Sequence, residues 1–212
     1  MEILKYKEHI NEEYSKNDPI PEFRENSKLG IILTGAPGAG KSTFAMNEIK
    51  RKMKNVKIFS TDDVSRTLLG GSSEEYVSGS SELNIKRLFA FMESGQNFVY
   101  DTTATNDRVL LRVKEESKKY GYKLMFVHII VDLETAKKQN KERSEKGGHN
   151  VDDGFIEMVY KRQFHNMKIF NDLLKPDAYY VAMNMRRKWK YFKLRSNRLH
   201  KRKVDKYVPV SN

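Results

Sequence analysis

Nine residues, Gly35-Ala-Pro-Gly-Ala-Gly-Lys41-Ser42-Thr43, fit the spacing G-x-x-x-x-G-K-[ST]. Glycines in this pattern let backbone amides turn inward around phosphates, and a following helix N-terminus adds positive potential. Lys41 then reaches the β- and γ-phosphates of ATP, and the Ser42 hydroxyl ligates Mg²⁺. Gly35, Gly38, Ala39, Gly40 and Thr43 complete the expected cofactor-binding set. The alternative is a glycine-rich turn with an exposed lysine. Against it, the match follows a predicted strand and opens a predicted helix.

Carboxylates stand where a loop of this kind needs them. Asp62 and Asp63 follow the second apolar run, in Ser60-Thr-Asp-Asp-Val-Ser-Arg66. In a parallel sheet the carboxyl ends of neighbouring strands share one crevice. A carboxylate there can take the proton of an attacking hydroxyl. Either aspartate can also cap the next helix. Arg66 can hold an acceptor phosphate or the group in transfer. Asp101 ends the third run, Phe98-Val-Tyr-Asp-Thr-Thr, suited to a magnesium-bound water, to substrate or to a simple Asx turn. Arg143 lies among Lys137, Lys138, Lys141 and Lys146 and can close over phosphates as a lid arginine. His149 follows Gly147-Gly148 on a predicted flexible loop.

The elements that must position these residues alternate. Apolar runs predict strands at Gly30–Thr34, Val56–Ser60, Asn97–Tyr100, Lys123–Val131 and Ala178–Met183. Helical patterns fall between them, at Lys41–Lys52, Glu82–Ser94, Asp107–Tyr120, Leu133–Lys146 and Gly154–Leu174. Asn106 and Asp132 are the expected N-caps of the third and fourth. Such alternation predicts a three-layer α/β fold, a central parallel sheet of about five strands with helices on both faces and a helical lid. Residues 1–28 are expected to form a helical appendage, over about Ile3–Tyr14, and a linker with Pro19 and Pro21. Residues 29–184 form the predicted phosphate-loop domain, and 185–212 a basic extension. Gly70–Ser81 is rich in Gly and Ser and is predicted to be a mobile loop. The extension fits a helix through Met185, Trp189, Phe192 and Leu199, and a strand through Trp189, Tyr191 and Lys193. The helix is the expectation.

The bulk composition restricts the function classes. Of the 212 residues 38% are hydrophobic and 32% charged, with a net charge of +12 and no cysteine. Disulfide, thiolate and cysteine-zinc chemistry are excluded. The longest apolar run, Leu124–Val131, is far too short to span a bilayer, and the N-terminus lacks the pattern of a signal peptide. A cytoplasmic location is expected. From Arg186 to Lys206 eleven Lys or Arg stand against Asp205 alone, so most of the net charge lies in that segment. That footprint predicts a nucleic-acid partner, or else a solubilising tail.

Taken together, these residues resemble the phage polynucleotide 5′-kinase group of P-loop kinases over about Leu29–Asn184. The P-loop, Asp62-Asp63 with Arg66, Asp101-Thr102, and the Asn140-Lys-Glu-Arg143 lid occur in that group's order. The resemblance implies Lys41 and Ser42 for ATP and magnesium, and the aspartate after strand two as general base. It also implies Asp101 and Thr102 on the acceptor side and Arg143 on phosphate. Spacing back from Arg66 selects Asp63 as the base. Spacing from Leu68-Leu69-Gly70 selects Asp62. Gly147-Gly-His-Asn-Val151, with Ile156, Tyr160 and Arg162, also looks like the zeta-toxin-like kinases of nucleotide sugars and other small molecules. Phage kinases of hydroxymethylated DNA bases are a third relative, compatible with the basic extension and with action in a host cytoplasm. The expectation is an ATP- and Mg²⁺-dependent transfer to a hydroxyl on nucleic acid. A small-molecule acceptor is the alternative, and a nucleotide switch without an acceptor is the remaining class.

Overall fold

In the computed structural model, residues 14–15, 28–53, 55–68, 79–174, 176–185 and 188–194 are described. The apolar runs form strands β2 (Leu29–Thr34), β3 (Val56–Ser60), β4 (Asn97–Thr102), β5 (Lys123–Ile130) and β6 (Ala178–Met185). These five are parallel neighbours in the order β6-β5-β2-β4-β3. The helices are α1 (Lys41–Phe44, continued as a π-helix over Ala45–Lys50), α2 (Thr61–Leu68), α3 (Ser80–Met92), α4 (Asp107–Lys119), α5 (Leu133–Glu145) and α6 (Asp153–Leu174).

Side chains alternate across a strand, so a parallel strand covered on both faces must be apolar throughout. β2 shows this: all six of its residues are buried. Ile32 joins one core cluster, with Leu88 of α3, Val113 of α4 and Phe170 of α6. Ile31 and Leu33 join the other, with Phe44 and Ile49 of α1 and Ala136 of α5. The two clusters make the three layers expected. Asn106 accepts from the amides of Arg108 and Val109, and Asp132 from that of Thr135, so both predicted N-caps form.

Three local expectations are corrected. The strand expected to stop before Asp101 runs through Thr102, because Leu33 and Thr34 of β2 continue the pairing opposite Asp101 and Thr102. The helix expected over Lys41–Lys52 is α-helical only to Phe44 and π-helical over Ala45–Lys50. The segment after Arg186, expected to be a helix, is instead strand β7 (Lys188–Leu194), antiparallel to β6. Its Trp189 and Tyr191 alternate onto the face that covers α1, and their burial there favours the two-residue period over the helical one. A two-residue strand β1 (Tyr14–Ser15) pairs antiparallel with β7. The sheet thus extends into both segments read from sequence as appendages. The rest of the expected N-terminal helix, its Pro19–Pro21 linker, most of the Gly70–Ser81 loop and the basic segment beyond Leu194 lie outside the described residues. Among the described residues no helix is long and apolar enough to cross a membrane.

Phe126 sits at the centre of this packing, fully buried, with ring centroids 5.5 Å from Phe170 and 4.8 Å from Tyr179. Phe126→Ala is expected to lower unfolding stability in urea by about 3–5 kcal/mol. A loss below about 1 kcal/mol would contradict this account of the core.

Candidate active site

The topology brings four chain segments to one end of the sheet. Thr34 ends β2 beside Thr102 of β4 and His128 of β5, and Ser60 ends β3 beside Asp101. The loops that leave these strand ends surround a cleft of about 1240 Å³. Gly38, Gly40, Lys41, Ser42 and Thr43 line one side of it. Gly38 and Gly40 hold positive φ of 78° and 88°, a backbone that L side chains rarely adopt. A Cβ on Gly38 would also strike the carbonyl oxygen of Ala136 in α5. Gly35 and Ala39 do not line the cleft. The Ala39 side chain is in the core, so only its backbone is available to a ligand.

Lys41 folds back onto its own loop, its Nζ donating to the carbonyls of Gly35 (3.0 Å) and Ala36 (3.2 Å). Burial pulls the Lys41 pKa below the ordinary lysine value, and the charges of Asp101 and Asp62 work against that shift. Asp101 is buried and its carboxyl is raised by desolvation, with Lys41 opposing. Ser42 Oγ donates to Asp101 Oδ2 at 3.4 Å. This donor set suits magnesium, which takes one or two protein oxygens and completes its shell with water and phosphate oxygens. Among the described residues no group of three or more His, Asp or Glu could cage a metal.

Asp62 lines the cleft from the first turn of α2, and its Oδ2 lies 3.8 Å from Arg143 Nη1. Both side chains are substantially exposed, so this pair is a weak tie that a ligand can displace. Asp63, the other candidate base, does not line the cleft. Arg66 is in α2, and its side chain lies outside the described residues.

Arg143 is held by a residue named from sequence only as part of the lid. Asn140 is buried and accepts from Arg143 Nη2 at 3.0 Å. Its amide also ties down the segment after α5, donating to the Val151 carbonyl (2.9 Å) and Asn150 Oδ1 (3.2 Å) and accepting from the Val151 amide. Arg143 Nε is left buried without a hydrogen-bond partner. The glycine cradle, Lys41 and Arg143 all line the cleft, which makes it a fit for a polyphosphate.

The far wall is polar and hydroxyl-rich. Thr102 lines it, its Oγ1 accepting from the Ala104 amide at 3.1 Å. Thr103, Thr105, Asn106 and Ser81 join it; sequence reasoning named Asn106 only as a helix cap and missed the other three. The run Thr-Thr-Ala-Thr-Asn after an apolar strand was the available signal. Ala104, in the middle of this loop, is the one non-glycine residue with positive φ (56°) among the described residues. Such strain tends to collect at functional sites. Tyr100 also lines the cleft, and burial pushes its phenol up to about 12, keeping it neutral. His149 lines the cleft too, on the lid side.

Below the loop, His128 Nδ1 and Thr34 Oγ1 are 2.7 Å apart, and His128 Nε2 is 3.4 Å from Gln163 Oε1. The Gln163 acceptor places the ring proton on Nε2, so Thr34 donates to Nδ1. Burial lowers the His128 pKa to about 4; the Gln163 hydrogen bond opposes this and the Lys41 charge adds to it.

The family described as the AAA domain matches residues 31–164, more than half of the chain. No curated protein matches it. Among solved structures it is similar to a chain of the Pnkp1/Rnl/Hen1 RNA repair complex, at 25% identity and a TM-score of 0.58, over 71% of this chain and 48% of that one. It therefore spans about half the length of that relative. It also shares its fold with a chain of the PezAT toxin–antitoxin system of Streptococcus pneumoniae, at 15% identity and a TM-score of 0.59, over 85% and 75% of the two chains. A chain of the AvrRxo1-ORF1:-ORF2 complex with ATP has the same fold, at 14% identity and a TM-score of 0.57, over 88% and 66%.

His128 yields a pH prediction. Its folded pKa, about 4, lies below the ordinary 6.5, so the unfolded chain takes up a proton that the native one refuses. This contribution to stability is complete above pH 6.5 and declines as pH falls toward 4, by roughly 3 kcal/mol. Urea unfolding across that range is expected to show a flatter pH dependence for His128→Gln than for the wild type. Equal slopes would contradict a buried neutral His128.

Proposed function

The chain belongs to the AAA-domain family, and from that premise we propose that it is an ATP-dependent kinase that phosphorylates a hydroxyl group on nucleic acid. One observation carries the reading. Lys41, the Ser42–Asp101 pair, Asp62 and Arg143 converge on one cleft from three strand ends and the α5 lid.

The chain's residues divide the work as follows. Loop amides from Gly38 to Thr43 hold the phosphates, and Lys41 leaves the Gly35 and Ala36 carbonyls to meet β- and γ-oxygens. Arg143 trades its tie to Asp62 for the γ-phosphate, where charge accumulates during transfer. That exchange frees Asp62 to accept the acceptor's O–H proton. The acceptor oxygen bonds to the γ-phosphorus as the bond from γ-phosphorus to the β–γ bridging oxygen breaks, and ADP departs with that oxygen. A magnesium ion held by Ser42, and by Asp101 through water, would neutralise charge on the phosphates.

Two observations support a nucleic-acid acceptor. The segment 186–206 is strongly basic, and the chain is similar to part of an RNA repair complex. A polynucleotide 5′-hydroxyl is the first candidate and a base hydroxymethyl group the second. One observation favours a small-molecule acceptor instead. Among the described residues the cations lining the cleft are Lys41, Arg143 and Lys146, while the Thr102–Asn106 wall offers hydroxyls and an amide. Such a wall suits a neutral sugar.

Labelled γ-phosphate is expected to move from ATP to 5′-hydroxyl DNA or RNA, with Lys41→Ala as the blank. Asp62→Asn is expected to lower kcat by about 10²–10⁴ with little change in KM for ATP, and Asp63→Asn far less. Label confined to hydroxymethylated DNA or to nucleotide sugars would reassign the acceptor. ATP hydrolysis without any labelled acceptor would overturn the kinase reading.

A further inference from the structure

Strand β7 lies beyond the parallel sheet and brings an aromatic ring to the rim of the phosphate loop. Trp189 packs edge-on against Phe44, the last α-helical residue of α1, with centroids 4.8 Å apart and planes at 83°. Tyr191, two residues on, is buried against the same helix and donates to Glu48 Oε2 at 3.4 Å. β7 is thereby fastened to α1, and Trp189 is mounted on a paired strand opposite Asn184.

The ring is not sealed in the core; it is only partly buried. A Cβ placed on Gly40 would stand 3.9 Å from Trp189 Cη2 and 3.9 Å from Gln139 Oε1. The indole and the Gln139 amide therefore flank the glycine that precedes Lys41. Gln139 lines the cleft and lies four residues before Arg143, on the same face of α5. Gln139 stands one turn of α5 before Arg143, and Trp189, which does not itself line the cleft, stands beside Gly40 at its margin, so a nucleotide with its γ end at Arg143 can extend toward them.

We infer that Trp189 and Gln139 form the subsite for the purine base of the nucleotide, the indole by stacking and the amide by hydrogen bonds to the base edge. The chemistry suits the ligand. A base offers a π face to an aromatic ring and mixed donors and acceptors to an amide that has both. This inference rests on the proposed binding of ATP at the same cleft.

Trp189 is the chain's single tryptophan, so its native fluorescence reports on this position alone. In the wild-type chain, ATP and ADP are expected to shift the emission, and inorganic tripolyphosphate to bind without that shift. By calorimetry, Trp189→Ala is expected to bind ATP about tenfold more weakly and tripolyphosphate unchanged. Trp189→Phe, which keeps a ring against Phe44, is expected to retain most of the ATP affinity. An equal emission change with both ligands, or ATP affinity equal in wild type and Trp189→Ala, would overturn the base subsite and leave the kinase reading standing. A Trp189→Ala that weakens both ligands alike would likewise assign Trp189 to packing alone. A wild type that binds neither ligand would overturn both readings.

Discussion

The site depends on keeping a buried aspartate charged beside a half-buried lysine at the edge of the cleft. Lys41 and Asp101 each shift toward neutrality through burial, and each is the other's largest electrostatic support. Taking a charge out of water is costly unless partners and hydrogen bonds restore what hydration supplied, and Asp101 bears more of that cost than the half-buried Lys41. Here the loop carbonyls of Gly35 and Ala36 serve Lys41, and the Ser42 hydroxyl serves Asp101. These are interim partners. A triphosphate with its metal would offer both groups stronger ones, and the arrangement is polarised toward that ligand.

The parallel sheet makes this pairing possible. Asp101 sits opposite Leu33, so the carboxylate on β4 and the loop leaving β2 emerge side by side. Ser60 of β3 is opposite Asp101, which places Asp62, two residues later, at the same mouth. The lid completes the ring from β5, with Asn140 fixing both Arg143 and the Asn150–Val151 segment. A single carboxamide thus sets the lid's shape and the direction of its arginine. Arg143 and Asp62 meet across the open cleft through a weak, partly exposed contact, one that closure over a ligand can exchange without a large penalty.

Much of this was legible in the amino-acid sequence because it rests on local rules. The glycine spacing, the apolar strands and the Asn106 and Asp132 caps each depend on residues within a few positions of one another. What was not legible depends on long-range packing. Trp189 and Tyr191 fit either a helix or a strand by pattern; the free edge of β6 and the aromatic face of Phe44 decide for the strand. Asp62 and Asp63 are indistinguishable by type, and of the two, both in the first turn of α2, only Asp62 lines the cleft. Asn140 was named from sequence only as part of the Asn140–Arg143 lid, and its role there comes from its burial under the segment that folds back over it.

The central claim is that the Lys41 loop receives a nucleoside triphosphate. Thermal unfolding with and without ATP and magnesium tests it most directly, since a ligand that binds only the native state raises its midpoint. Wild type should gain a clear, concentration-dependent rise in Tm, and Lys41→Met, which keeps the stem and removes the charge, should gain little. An equal rise in both proteins would place the nucleotide elsewhere and contradict the account.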